Sequence, residues 1–390
     1  MKGDGLLAGL RSEEESMVKL LRTLVDMDTP SGDKQRLDEA MEVVQREVER
    51  RGAAVTRHTQ AEVGDHLTAH WPGSPGSTSV LLAAHLDTVW PAGEALARPF
   101  ADNDGRLVGP GVFDMKAGLV QAIFAIDAFR KGPDGNTCDV TLLVTSDEES
   151  GSRTSRPLIE AEAAASDVVF IMEPAAGPKL KTARKGIGMY SVRVEGRAAH
   201  AGLDPELGRS AILELARQII RLHELTDHDS GTTVTVGKVT GGTARNVVPA
   251  YAEATVDLRV VTAEAAERLD GVIRGLLPFD SDTKVTVEGG INRPPMERSA
   301  ATASLYERAE SIAHKLGLQL GEAMVGGGSD GNFTAAQGIP TLDGLGAVGG
   351  GAHSLDEHVQ RSEVAVRAAL VAHLLVDLGR NGPAWKAKQG

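Results

Sequence analysis

Apolar runs that break off at acidic or imidazole side chains are the feature that most constrains this chain. "VLLAAHLDTV" passes from Val80 into His85 and Asp87, "LLVTSDEESGS" from Leu142 into Asp147, Glu148 and Glu149, and "VVFIMEP" from Val168 into Glu173. Such runs suit strands that are buried on both faces. Helical patterns separate them, one beginning near Met115 and another near Arg156–Ala165. Buried strands alternating with helices predict an α/β fold, a mainly parallel sheet with helices on both faces.

From about Gly186 the pattern changes. A strand ("IGMYSVRVEG"), a helix, two alternating strands ("TTVTVGKVTG", "YAEATVDLRVV"), a helix and a last strand ("TKVTVEG") follow in order. That β-α-β-β-α-β series predicts a ferredoxin-like α+β domain. "NRPPMERS" reads as a linker back, after which α/β alternation resumes. At 390 residues the chain exceeds the size, about 250–300 residues, at which single cores stop growing. The expected organisation is a larger domain built from residues 1–185 and 294–390, with residues 186–293 inserted into it. Near the start, Ser12 and Glu15 have capping-box spacing ahead of Met17, Leu20, Leu21 and Leu24.

Composition narrows the chemistry. A net charge of −13 and an aromatic content of 3% exclude nucleic acid and anionic membrane as expected partners. Cys138 is the single cysteine, so no disulfide framework and no thiolate zinc site is expected. Its place at the start of an apolar strand predicts a buried, structural thiol. No uninterrupted apolar run reaches about 18 residues, so no membrane span is expected. "MKGDGLLAGLRSEEES" lacks the pattern of a signal peptide, and a cytoplasmic location is the expectation.

In open α/β sheets, sites form outside the carboxyl ends of the strands. His85, Asp87, Glu148, Glu149 and Glu173 share that address, and "GPGVFDMKAG" sets Asp114 at a helix start. Each has a plain alternative: Asp114 an N-cap, Glu173 a solvated carboxylate, His85 a hydrogen-bonded structural histidine, Glu148 and Glu149 loop acids. Together they would place several like charges at one edge, which is unfavourable unless cations neutralise them. Imidazole and carboxylate donors without thiolate suit zinc, cobalt or manganese. The set exceeds one tetrahedral zinc and fits two metals sharing a carboxylate. Asp87 is further expected to accept the second ring N–H of His85 and so fix its tautomer.

The chain resembles the dinuclear-zinc M20 family of amidohydrolases and peptidases. That family includes bacterial glutamate carboxypeptidases, acetylornithine deacetylase and succinyl-diaminopimelate desuccinylase. The likeness runs through "AHLDTVWPAG", "GVFDMKAG", "TSDEESGS", "GRAAHAG", "RNVVPAYAEATVDLR", "GGGSDGNF" and "AHSLDEHV", in the family's order. "TVWPAGEALARPF" and "GRAAHAGLDPELGRSA" look most like the glutamate carboxypeptidases. By resemblance, two divalent metal ions bind per chain, zinc with cobalt or manganese as alternatives. Asp114 resembles the bridging ligand, often followed by a cis peptide. His85 and Glu173 resemble the other ligands of one metal, and Glu149 and His353 those of the second. Glu148 resembles the general base, Asp87 the orienter of His85, and His200 the histidine that reaches a partner subunit's site. Asn246 and Arg259 resemble residues that hold a substrate carboxylate, beside Gly328 of a glycine loop. The likeness implies hydrolysis of an amide or peptide bond next to a carboxylate-bearing amino acid, most like a glutamate carboxypeptidase. It also implies a homodimer, with the inserted domain as lid and dimerisation surface. An N-acyl-amino-acid deacylase is the alternative. His66 stands where relatives commonly carry Asn, and a structural variation is expected there.

Two rival readings compete. Gly327–Gly331 matches G-x-S-x-G, and Asp343 and His353 follow in α/β-hydrolase order, which would make Ser329 a nucleophile. That reading leaves the acidic strand ends unexplained. The triple glycine could instead be an anion-binding nest in a non-catalytic binding protein. Without the family likeness, His200 reads as an exposed loop residue, Arg259 as a solvated strand residue and Asn246 as a turn residue.

Overall fold

The computed structural model describes residues 5–383. The described chain divides into two compact units, one of Ala183–Glu297 with Val325–Gly328, the other comprising the remainder.

The larger unit is built on a six-stranded sheet. Its order is Ala54–His58, His66–Trp71, Cys138–Thr145, Thr78–His85, Val168–Ile171, Thr341–Leu342. The first two strands and the junction to Cys138–Thr145 are antiparallel, and the rest are parallel. Both faces are covered, as the unbroken apolar strands require. Val80, Leu82 and Ala84 join the core made with helices Ala117–Lys131 and Arg361–Asn381. Leu81 and Ala83 point the other way, into a second cluster with Ile159, Ala163 and Phe333. Burying one such leucine side chain contributes about 1.5–3 kcal/mol. Cys138 is buried, and its Sγ donates to the Leu375 carbonyl.

The chain start differs from the capping-box expectation. A helix already spans Gly5–Ser12, and a second runs Glu14–Val25 without a side-chain cap. The Ser12 hydroxyl donates back to the Gly9 carbonyl at 2.6 Å, so it closes the first helix and does not open the second.

The smaller unit is an antiparallel sheet in the order Thr233–Gly241, Tyr251–Val260, Gly186–Glu195, Lys284–Arg293. Helices Ala211–His223 and Ala263–Arg274 pack on it through Leu215, Leu222, Leu269 and Ile273. Each helix starts with a hydroxyl cap: Ser210 accepts from the Leu213 N–H and Thr262 from the Ala265 N–H. Such caps contribute about 1 kcal/mol each. Ile212, Leu213, Ile220 and Val239 of this unit are exposed. No described helix is long and apolar enough to cross a membrane.

Candidate metal centre

Strand register brings the polar residues together. Cys138–Thr145 and Thr78–His85 run parallel with His85 opposite Thr145, and Ala83 lies opposite Ile171 on the other side. Neighbouring strands are about 4.8 Å apart, so residues just past three adjacent carboxyl ends must converge. His85 ends one strand, Glu148 and Glu149 follow the second, and Glu173 follows the third. Asp114 arrives from the turn before helix Ala117–Lys131. That helix packs so tightly on the sheet end that a Cβ on Gly118 would meet the Met172 carbonyl oxygen at 1.9 Å. Only glycine is compatible with this approach. The Asp114–Met115 peptide is cis.

The resulting cluster is tight. His85 Nε2 lies 3.3 Å from Asp114 Oδ1 and 3.6 Å from Glu173 Oε1. His353 Nε2 lies 3.4 Å from Asp114 Oδ2 and 3.3 Å from Glu149 Oε1. Asp114 therefore stands between the two imidazoles, one oxygen toward each. His353 holds a left-handed backbone, φ 60°, which is uncommon outside glycine. Ligand-type atoms of His85, Asp114 and Glu149 lie within 4.8 Å of one another, as do those of His85, Glu148 and Glu173.

Three of these atoms, His85 Nε2, Asp114 Oδ1 and Glu149 Oε1, are buried and have no hydrogen-bond partner among the described residues. Buried polar atoms are normally satisfied, so a set of three facing one another asks for a cation. The same crowding of charges shifts the protonation equilibria. Burial pushes the His85 imidazole down, but Asp114, Asp87 and Glu173 outweigh it and hold its pKa well above 6.5. The carboxylates of Asp114 and Glu149 raise that of His353 to about 10. Burial opposes ionisation of Asp114, yet His353 and His85 hold its carboxyl well below the usual carboxylate range. Glu149 is pushed up by burial. The donor set, imidazole and carboxylate without thiolate, fits divalent zinc, cobalt or manganese.

Asp87 departs from its expected contact. His85 Nδ1 lies 2.9 Å from the backbone carbonyl of Asp87, whereas the nearer carboxylate oxygen is 3.5 Å away. The carboxylate instead accepts the N–H groups of Glu148 and Glu149 and the Ser31 hydroxyl. It grips the turn that carries both glutamates. Asp147 does related work on the far side of that turn. It is buried, and its Oδ2 accepts the Thr154 N–H, the Thr154 hydroxyl and the Ser155 N–H. His66, also buried, completes the chain through a 2.9 Å contact with the Thr154 hydroxyl, and burial lowers its pKa.

The Ser329 triad is not assembled. Ser329 is buried, and its hydroxyl donates directly to Asp343 at 2.6 Å while accepting the Gly331 N–H. His353 belongs to the Asp114–Glu149 cluster instead.

In the smaller unit, His200 is exposed on a short strand paired with Val247–Val248. Its Nδ1 accepts the N–H groups of Gly202 and Leu203, so a neutral ring carries its proton on Nε2. The backbone carbonyl of Asn246 accepts the Ala201 N–H, which ties these two loops together. Arg259 makes a two-point pair with Asp257, through Nε at 2.8 Å and Nη2 at 2.9 Å, and donates from Nη1 to the Gly326 carbonyl. Arg184 donates to the Gly327 and Gly328 carbonyls, so the glycine loop turns acceptors toward arginines and is not an anion nest there. A Cβ on Gly328 would come within 2.7 Å of Arg293 and Ile187.

Sequence reasoning assigned no role to Ser31, Asp147 or Glu357. Glu357 lies inside "AHSLDEHV", but an acid in a polar stretch carries no mark of being only 1% exposed.

Comparison with known proteins agrees with this geometry. Residues 81–377 match the model of Peptidase family M20/M25/M40. The chain is 30% identical to Carboxypeptidase G2 of Pseudomonas sp. (strain RS-16) over 384 residues, 96% of this chain and 92% of that protein. It is 29% identical to succinyl-diaminopimelate desuccinylase of Cereibacter sphaeroides (strain ATCC 17029 / ATH 2.4.9), over 87% of this chain and 93% of that one. In fold it is similar to aminopeptidase PepT from Bacillus cereus ATCC 10987, with TM-score 0.73 and 23% identity, covering 94% of this chain and 98% of that chain. The parallel-sheet α/β architecture is thus shared with that aminopeptidase, and the chain belongs to Peptidase family M20/M25/M40.

Proposed function

We propose that the protein is a dinuclear-metal hydrolase that cleaves an amide or peptide bond beside a carboxylate-bearing amino acid, most like a glutamate carboxypeptidase. The observation that carries this reading is the set of buried atoms His85 Nε2, Asp114 Oδ1 and Glu149 Oε1, which face one another beside His353 and Glu173 and have no hydrogen-bond partner among the described residues. The relatives named above support the hydrolase class, and the 30% identity to Carboxypeptidase G2 favours the carboxypeptidase. The similarity to the desuccinylase keeps deacylation of an N-acyl amino acid as the alternative.

In this reading His85 and Glu173 would hold one metal and Glu149 and His353 the other, with Asp114 between them available to both. Zinc is the proposed metal, with cobalt or manganese able to occupy the same donors. When bound, the pair supplies Lewis-acid polarisation of the scissile carbonyl and acidifies water. Glu148 takes the proton of the attacking water and delivers it to the leaving amine. Asp87 holds the Glu148 backbone still while it does so. His200 offers its Nε2–H to the developing oxyanion, since Nδ1 is already committed as an acceptor. Arg259 holds the substrate carboxylate with Asn246 and the Gly328 loop beside it. Because Asp257 occupies the Nε–Nη2 edge, Arg259 meets that carboxylate end-on through its Nη groups.

The smaller unit acts as lid and dimerisation surface. Its edge strand Thr233–Gly241 and the exposed Ile212, Ile220 and Val239 support a homodimer. A lone, buried thiol and the absence of any disulfide pattern support a cytoplasmic location. The test is metal content followed by a substrate panel. Protein purified and reconstituted with Zn²⁺ is expected to hold about two metals per chain and to release glutamate from acylated or peptidyl glutamate. Activity confined to N-acyl substrates of other amino acids would favour the deacylase. Chelator-resistant activity would remove the metal reading altogether.

A further inference from the structure

The turn that delivers Asp114 is a single wide helical turn, held along its own backbone only by the Val112 N–H to the Gly109 carbonyl, the Lys116 N–H to the Gly111 carbonyl and the Ala117 N–H to the Val112 carbonyl. Gly109 and Gly111 take positive φ, 142° and 70°, and Asp114 and Met115 are non-helical. Three further backbone N–H groups, those of Gly111, Phe113 and Asp114, point at one side chain far along the sequence. Glu357 Oε1 accepts the N–H groups of Phe113 and Asp114, each at 3.0 Å. Oε2 accepts the Gly111 N–H at 2.9 Å and the Trp90 indole N–H at 2.8 Å. A carboxylate 1% exposed is thereby satisfied by four donors, three of them backbone.

Glu357 also closes the loop that carries His353. The Glu357 N–H donates to the Ser354 carbonyl and the Ser354 N–H to the Gly351 carbonyl. The next residue opens the strand His358–Gln360, which pairs with Gly349–Gly350 and with Arg106–Val108. One side chain therefore joins the Asp114 turn to the His353 loop. Asp114 reaches toward both histidines at once, at 3.3 and 3.4 Å, and a shift of either segment breaks that symmetry.

We infer that Glu357 is a positioning residue for the metal centre, setting the separation between Asp114 and His353 through the Gly111–Asp114 backbone. It touches neither ligand-type atoms of the cluster nor substrate. The inference rests on the dinuclear reading given above.

Glu357→Gln is the informative variant, because it keeps the shape and removes one acceptor. Whichever way the amide turns, its NH2 faces two N–H donors, either Gly111 with Trp90 or Phe113 with Asp114. Co²⁺ titration of metal-free wild type and Glu357→Gln, followed by the visible Co²⁺ absorption band, reads the site directly. Wild type is expected to take up two Co²⁺ per chain. The variant should bind the cation about 10–100-fold more weakly, with an altered band, as loss of an outer partner of a metal ligand does. Its kcat should fall and be partly restored by excess metal, with KM little changed. A variant that melts earlier but binds Co²⁺ with wild-type affinity and spectrum would assign Glu357 a merely structural role and overturn the inference. Wild type that binds no metal would instead sink the dinuclear reading, so the two failures are distinct. If Glu357→Gln does not fold, Trp90→Phe removes a single donor from Oε2 and serves in its place. A severalfold weaker Co²⁺ affinity with a changed band supports the inference, and wild-type values for both overturn it.

Discussion

The carboxylate of Asp87 holds the backbone of Glu148: its Oδ1 accepts the Glu148 N–H at 3.2 Å while Oδ2 accepts that of Glu149 at 3.1 Å. An aspartate with no solvent exposure thus fixes the backbone of two glutamates for which different roles are proposed. Asp87→Asn turns an amide toward these donors and strands a buried N–H, which costs about 1–3 kcal/mol. The variant is expected to melt several degrees lower and to lose at least tenfold in kcat. Thermal melts and steady-state kinetics on metal-loaded protein check both.

Glu148→Ala should separate metal binding from turnover. Removing a positioned base costs about 10²–10⁴-fold in rate. Metal content, measured by elemental analysis after dialysis, should stay at the wild-type level. Loss of one metal from this variant would instead make Glu148 a ligand, a role its closeness to His85 and Glu173 also allows.

Ser329→Ala should leave turnover within a fewfold of wild type and fully sensitive to chelator. The hydroxyl bonds Asp343 and receives the Gly331 N–H, so its removal should lower stability by about 1–3 kcal/mol. Urea unfolding measures the second effect. Abolished turnover in a folded, metal-loaded variant would revive the nucleophile reading.

His200→Ala and Glu148→Ala proteins, each nearly inactive alone, test whether His200 serves a partner's site. After random subunit exchange, hybrid dimers would carry one complete site, restoring roughly a quarter of wild-type activity. A mixture as inactive as its components would place His200 in its own chain's site.

Cys138 should be silent in the native protein. Burial pushes its thiol up to about 12, so at pH 8 roughly one molecule in ten thousand carries the reactive thiolate. A thiol reagent should find no cysteine until denaturant is added, and then one per chain. Rapid native labelling would show that the last helix, which supplies the Leu375 carbonyl partner, opens readily.

Much of the site was legible because strand ends are local. His85, the pair Glu148 and Glu149, and Glu173 stand at the ends of three apolar runs, and a parallel sheet necessarily brings such ends side by side. Asp114 was legible as an acid at a helix start, whereas His353 needed family likeness, since it sits on a turn with no periodic signal. The Asp87 contact was misjudged for a physical reason. The spacing His-x-Asp places a carboxylate near an imidazole, but the backbone carbonyl of the same residue was closer to the ring.

The sequence by itself determined which residue types could act and on which side of the sheet they would stand, because alternation and strand length are short-range properties. Tertiary structure alone decided what holds those residues in place. The Glu357 carboxylate finds the Asp114 N–H across 243 positions, and Ser31 finds Asp87 across 56. Such partners are chosen by which unsatisfied backbone donors the packed core brings near a buried acid. No local pattern encodes that choice.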